Sequence, residues 1–268
     1  QAILGIFPIS GVELRVREPL NSSATTALEA LDEVSALRDE ENPGTHVSYY
    51  GMFRIAETLE EYCVGNCVLG ASVVGEGANP RAGVGVGIGY TGDASARTFV
   101  HELGHVYGRQ HSPCGVAGDP EFPYSGGRTG VWGYDLGQKT LMPPSLGDFM
   151  GYCEPLWVSD YVFGHLATFV GTVNAGVALL QRGEPARFRT ILLERGARPR
   201  FGRSRRLSGE PPGKPEEAVA YARDGAATST VVYRSSLADV EAELVYVPDP
   251  SDRDWTHVRL RSGELVEY

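Results

Sequence analysis

The chain has no apolar run long enough to cross a bilayer. Its longest, Ala2–Ile9 and Leu166–Val173, fall far short of the roughly 20 residues a span needs. Positive charge is also short. Twenty-four Lys and Arg stand against 34 Asp and Glu, for a formal net charge of −10 and a pI near 5.1. That argues against a nucleic-acid partner, which usually calls for a basic face, while acidity by itself names no substrate. The start lacks a basic region followed by an apolar stretch, so no signal peptide is read there. Gln1 is not a natural initiator, and the chain is expected to be a processed or trimmed product. No internal repeat is visible. The glycine-rich segment near residue 85 lacks the Gly-x-Gly-x-x-Gly pattern of a phosphate loop.

The 268 residues (28.9 kDa) are 42% apolar and 22% charged. This allows a real core in one large domain, or in one medium and one small domain. The four cysteines are Cys63, Cys67, Cys114 and Cys153. They allow three pairings. Cys63–Cys67 as a small local loop with Cys114–Cys153 as a long-range bridge is the favoured one, against four reduced thiols in a cytosolic protein. Neither a Cys-x-x-Cys nor a nearby histidine completes a cysteine-based zinc site.

Along the chain, Val12–Arg17 alternates apolar and charged residues and predicts a strand. Ser22 or Ser23 can cap a helix carrying Leu28, Leu31, Val34 and Leu37, which Asn42-Pro43-Gly44 stops. Strands are expected at Val47–Ile55 and Val68–Val74. In Arg81–Tyr90, Val84, Val86, Ile88 and Tyr90 alternate with three glycines, leaving one bare face. Such a face lets another backbone approach. It fits an edge strand that aligns an extended substrate, and equally a buried strand packed under a helix. Asp93 or Ser95 caps a helix to about Tyr107. A loop-rich stretch over 112–150 follows, then a helix at about Ser159–Asn174 with Val162, Phe163, Leu166, Phe169, Val170 and Val173 on its apolar side. Composition shifts near Gln181. Nine arginines fall between Arg182 and Arg206, a solvated face or a domain contact, with a sulfated or acidic glycan as the alternative partner. Short β-like runs from Ala218 to Tyr268 predict a small all-β module.

The segment richest in chemistry is His101-Glu102-Leu103-Gly104-His105-Val106-Tyr107-Gly108-Arg109-Gln110-His111. His101 and His105, four apart, stack on one helix face and can together bind one zinc, at about 2.0–2.1 Å each. Glu102 lies beside that face. Gly108 tolerates the left-handed conformation that ends a helix sharply, so the chain doubles back and His111 supplies a third nitrogen. Three neutral ligands leave a fourth position open, the catalytic rather than the structural pattern.

His-Glu-x-x-His-x-x-Gly-x-x-His resembles the signature of the metzincin clan of zinc metallopeptidases. The resemblance covers about residues 10–180. It implies an α+β fold: a twisted mixed sheet with helices, a zinc helix, and a methionine turn beneath the metal. Met150 fits that turn, since Met52 precedes the motif and Met142 runs into two prolines. Met150-Gly151-Tyr152 is similar to the Met-x-Tyr of the astacin and serralysin branches. There the tyrosine can reach the metal, which implies for Tyr152 a role as extra ligand at rest and oxyanion stabiliser in turnover. Ser112 and Pro113 after His111 match no branch marker, while the Cys114, Cys153 and Trp157 region looks similar to secreted bacterial metzincins near the reprolysin-like group. Cys114 and Cys153 follow His111 and Met150 by three residues each. A bridge there closes a loop of about 38 residues, constrains the unfolded chain by about 4 kcal/mol, and implies an oxidising compartment.

The expectation is therefore a secreted zinc endopeptidase. Residues 1–183 are the peptidase domain and 184–268 a small β-rich module. One zinc is held by His101, His105 and His111, with a zinc-activated water, Glu102 as general base and a protein or peptide substrate, glycoproteins included. Asp119, Glu121, Asp135 and Asp148 lack calcium-loop spacing and read as surface or capping residues, so calcium has no support. Two alternatives stay open: a zinc amidase acting on non-protein amides such as those of cell walls, and a non-catalytic zinc-containing binding or adhesion protein.

Overall fold

The computed structural model describes residues 2–44, 46–65, 67–75, 83–175, 185–249 and 255–267. The start of the glycine-rich stretch at Arg81 and the expected domain boundary at 183/184 lie outside them. The helices are α1 (Ala2–Ile6), α2 (Ala27–Glu41), α3 (Leu59–Tyr62), α4 (Asp93–Val106) and α5 (Asp160–Asn174). The N-terminal strands are β1 (Tyr49–Phe53), β2 (Gly70–Val73) and β3 (Val84–Ile88). The segment between α4 and α5 carries a 3₁₀ turn (Ser125–Gly127) and the short strands β4 (Gly133–Asp135), β5 (Thr140–Met142), β6 (Gly147–Asp148) and β7 (Leu156–Trp157). The C-terminal strands are β8 (Pro185–Glu194), β9 (Arg200–Ser208), β10 (Lys214–Ala222), β11 (Ala227–Ala238), β12 (Ala242–Pro248), β13 (Trp255–Arg259) and β14 (Leu265–Glu267). The fold is α+β, built on a mixed sheet.

That sheet is continuous from the N-terminal to the C-terminal strands, in the order β1-β3-β2-β11-β10-β13-β14, with β12 and then β8 and β9 branching from β11. β1 runs parallel to β3, and β2 runs antiparallel to it. The join is short: Leu237 opposite Val73 and Ala238 opposite Ser72.

β3 is thus an interior strand, and every one of its residues is buried. This corrects the edge-strand reading. The bare glycine face is filled by side chains. A Cβ on Gly87 would collide with the Tyr50 hydroxyl, and one on Gly85 would meet Glu102 Cβ at 3.5 Å. The sequence pattern could not separate the two readings, because close approach by a side chain and by a substrate backbone need the same missing Cβ.

Val12–Arg17 forms no strand. Leu14 and Val16 are 78% and 89% exposed; alternation alone cannot hold a strand that has no ladder partner. The cap of α2 is Thr26, whose side chain accepts from Glu29 N, rather than Ser22 or Ser23. Glu29 in turn accepts from Thr25 N at 2.7 Å, so the acidic residue in the first turn draws the start downstream. Asn42, in left-handed conformation, ends α2. Ser159 caps α5 by accepting from Val162 N. Of the apolar side expected for α5, Val162 and Leu166 are buried, whereas Phe163 is 41% exposed.

Three apolar clusters hold these elements. One joins Leu31 and Val34 of α2 and Val86 of β3 to Phe188, Leu207 and Leu244 of the C-terminal strands. A second packs Phe7 and α4 onto Phe149, Met150, Trp157 and α5. The third, with Ile191, Val232, Val245 and Val258, lies wholly among C-terminal strands. Part of the arginine cluster faces α2. Arg205 is buried and paired with Asp32 and Asp39, while Arg200 and Arg203 reach Glu29 and Glu33.

A candidate metal centre on the α4 turn

α4 carries Asp93 in its first turn, where a carboxylate favours the positive end of the helix dipole, although no side chain caps its first N–H groups. At its other end Gly108 takes φ +81°, and Gly108 N and Arg109 N donate back to His105 O and Gly104 O. That left-handed turn reverses the chain. The return is fixed by Arg109, whose guanidinium meets Asp119 at 3.0 Å, while Tyr161 donates to the same carboxylate at 2.9 Å. Ser112 N then donates to Met150 O at 3.0 Å, tying the segment after His111 to the Met150 turn.

The result brings His101, His105 and His111 together. His101 Nε2 and His105 Nε2 are 3.1 Å apart, and His105 Nε2 and His111 Nε2 are 3.2 Å apart. A fourth group joins them from the other end of the chain. Asp239, just past β11, places Oδ1 3.0 Å from His111 Nε2 and 3.4 Å from His101 Nε2, with Oδ2 3.3 Å from His105 Nε2. All four ligand atoms lie within 4.8 Å of one another.

The donor set fits a tetrahedral cation. Ligands 2.0–2.1 Å from one zinc stand about 3.3 Å from each other, close to the 3.0–3.4 Å found between His105 and the other two histidines and between Asp239 and all three. Tautomers point the same way. His101 Nδ1 and His105 Nδ1 face the carbonyls of Phe149 and Arg109 at 2.9 and 2.6 Å. A carbonyl only accepts, so each Nδ1 carries the hydrogen and each Nε2 presents its lone pair inward. Burial holds His105 down to about 4, so this imidazole is neutral. Lone pairs from imidazoles and a carboxylate converging at 3 Å repel unless a cation lies between them. Asp239 Oδ2 is buried without a hydrogen-bond partner, as a metal-facing oxygen would be.

Glu102 is 1% exposed, with Oε2 accepting from the Ser72 hydroxyl at 2.7 Å. Burial and the neighbouring Asp239 carboxylate push its carboxyl well above the usual range. Met150 is fully buried under α4, against Gly104, where any Cβ would collide with its sulfur. Asp148 holds this turn from within, accepting from Met150 N at 2.9 Å and from Ser159 N at 2.8 Å. Tyr152 is half exposed. Its hydroxyl lies 3.4 Å from His111 Nε2 and donates to Asp239. Burial, then the Asp239 charge, raise its pKa and keep the phenol protonated. Cys63 is joined to Cys67, and Cys114 to Cys153 beside the Met150 turn.

Residues 61–152 match the model of the Peptidase M66 family. That segment holds β2, β3, α4, all three histidines, Glu102 and Met150, and it supports a zinc-dependent peptidase. No curated protein and no solved structure matches the chain. No helix among the described residues is long and apolar enough to cross a membrane.

Sequence reasoning missed two neighbours of the site. Ser72 lies inside a predicted strand, and nothing in its surroundings flags a partner for Glu102. Asp239 is 128 residues from His111, in a turn with no motif of its own.

Proposed function

We propose that the chain is a secreted zinc endopeptidase of the metzincin type. The observation that carries this reading is the convergence of three inward-facing imidazole nitrogens beside a buried glutamate. Zinc held by His101, His105 and His111 supplies Lewis acidity and brings the pKa of water towards neutrality. Glu102 is the general base. It takes the proton of the attacking water and passes it to the leaving amine as the carbon–nitrogen bond breaks. Ser72 fixes the Glu102 carboxylate through Oε2. The Tyr152 phenol is a donor for the oxyanion that develops on the scissile carbonyl. Met150 forms the apolar floor that sets the height of α4. Residues 1–183 are the peptidase part, and 184–268 a β-rich module with a core of its own. The two disulfides support an oxidising, extracellular setting.

The test is zinc content by elemental analysis beside cleavage of unfolded casein, with and without a chelator. One zinc per chain and chelator-sensitive cleavage are expected. A chain that takes up no zinc on reconstitution, or cleavage untouched by the chelator, overturns the reading.

A further inference from the structure

The fourth member of the cluster has no place in an open peptidase site. Asp239 sits in the connection between β11 and β12, with φ +64°, a conformation that aspartate tolerates better than most residues. It arrives there because Leu237 and Ala238 pair antiparallel with Val73 and Ser72. The strand that delivers Asp239 therefore lies along β2, next to the serine that holds Glu102. An extended peptide adding to a sheet edge makes the same kind of main-chain contact. The Tyr152 hydroxyl fixes Asp239 Oδ1. With the plug in place little of the machinery is open: side-chain exposure is 13% at His101 and His111, 1% at His105 and 11% at Asp239.

We infer that Asp239 is a fourth protein ligand to the metal, and that the β11–β12 connection is a built-in plug that holds this chain's cleavage to a low basal level. The inference rests on the metal-site reading above. Four protein ligands close a zinc site, whereas catalysis needs an open position. Asp239 fills the position that water and the scissile carbonyl require, and its strand occupies the β2 edge. Activation is then withdrawal of residues 237–239, with no rebuilding of the histidine cluster.

The experiment uses the full chain loaded with Co(II), whose visible absorption reports its ligands, titrated with acetohydroxamate as a small metal-binding probe. Asp239→Gly keeps the positive φ and removes the carboxylate. Asp239→Asn keeps the shape and removes the charge, and serves if the glycine variant folds poorly by circular dichroism. The parent is expected to bind one Co(II) with a spectrum that millimolar acetohydroxamate leaves unchanged. The variants are expected to bind Co(II), respond to the probe with at least tenfold higher apparent affinity, and cleave casein at least tenfold faster. A parent that responds to acetohydroxamate as the variants do overturns the plug while leaving the metal site standing. Failure of parent and variants alike to take up Co(II) overturns the metal site itself.

Discussion

The Ser72 hydroxyl donates a 2.7 Å hydrogen bond to Glu102 Oε2, joining strand β2 to the helix that carries His101 and His105. Both partners are buried, with Ser72 at 0% exposure. Removing the donor leaves a buried carboxylate oxygen unsatisfied, at a cost of about 1–3 kcal/mol. Ser72→Ala should lower stability by that amount in denaturant titration and slow casein cleavage without loss of zinc. Glu102→Gln should also retain zinc but reduce cleavage by about 10²–10⁴-fold, the usual worth of a general base. A Glu102→Gln protein that cleaves like the parent rules out Glu102 as the base.

Gly104 is a packing requirement. Its missing side chain is the space that Met150 and Phe149 fill. Gly104→Ala should cost about 1–3 kcal/mol through overpacking, and Met150→Ala about 2–5 kcal/mol through the cavity it leaves. Met150→Leu, close in volume, should cost less than about 1.5 kcal/mol. Thermal melts should fall least for Met150→Leu, further for Gly104→Ala and most for Met150→Ala. Zinc retention in competition with a chelator should fall for Gly104→Ala, because α4 must move.

The two disulfides should differ in worth. Cys114–Cys153 spans a separation of 39 residues and Cys63–Cys67 one of 4. In the chain-entropy view the first contributes about 4 kcal/mol and the second about 2 kcal/mol. Paired Cys→Ser variants measured by denaturant unfolding should show the larger loss for the 114–153 pair. Equal losses would place the stabilisation in native contacts instead of the unfolded chain.

Arg205 should be sensitive to pH. Its buried side chain faces Asp32 and Asp39. Burial raises the Asp39 pKa, against the lowering effect of Arg205. A carboxyl raised on folding binds more protons in the folded state, so its contribution is fully present below its unfolded pKa and is lost as pH rises through the folded one. Arg205→Ala removes the compensating charge and lifts Asp39 further. The variant should lose about 3–5 kcal/mol at neutral pH, and less as pH falls and the Asp39 carboxyl takes up its proton. A loss that does not change with pH would show that the arginine acts only through packing.

Much of the site was legible because its spacing is local. His101 and His105 share a helix face, Gly108 marks the reversal, and His111 follows within one turn of chain. The α2 helix and the strand at Val84–Ile88 were legible for the same reason, since periodicity and glycine alternation are read over a few residues. What failed depended on partners. Val12–Arg17 has the right alternation and nothing to pair with. β8 and β9 hid among arginines, because the residues that make Arg205 a core side chain, Asp32 and Asp39, lie more than 160 residues earlier. Asp239 was invisible for the same physical reason: a turn aspartate carries no sign of what the rest of the sheet brings next to it.

The β2–β11 ladder is the narrowest seam in the sheet, two residue pairs where β10–β11 runs from Lys214–Arg234 to Tyr221–Ala227. A tear there leaves both flanking ladders whole. Any chain that pairs with Ser72 and Val73 must first displace Leu237 and Ala238, and so begins to pull on Asp239. Recognition and unlocking then draw on the same few main-chain hydrogen bonds, and a peptide that grips this edge more firmly than residues 237–238 is its own key.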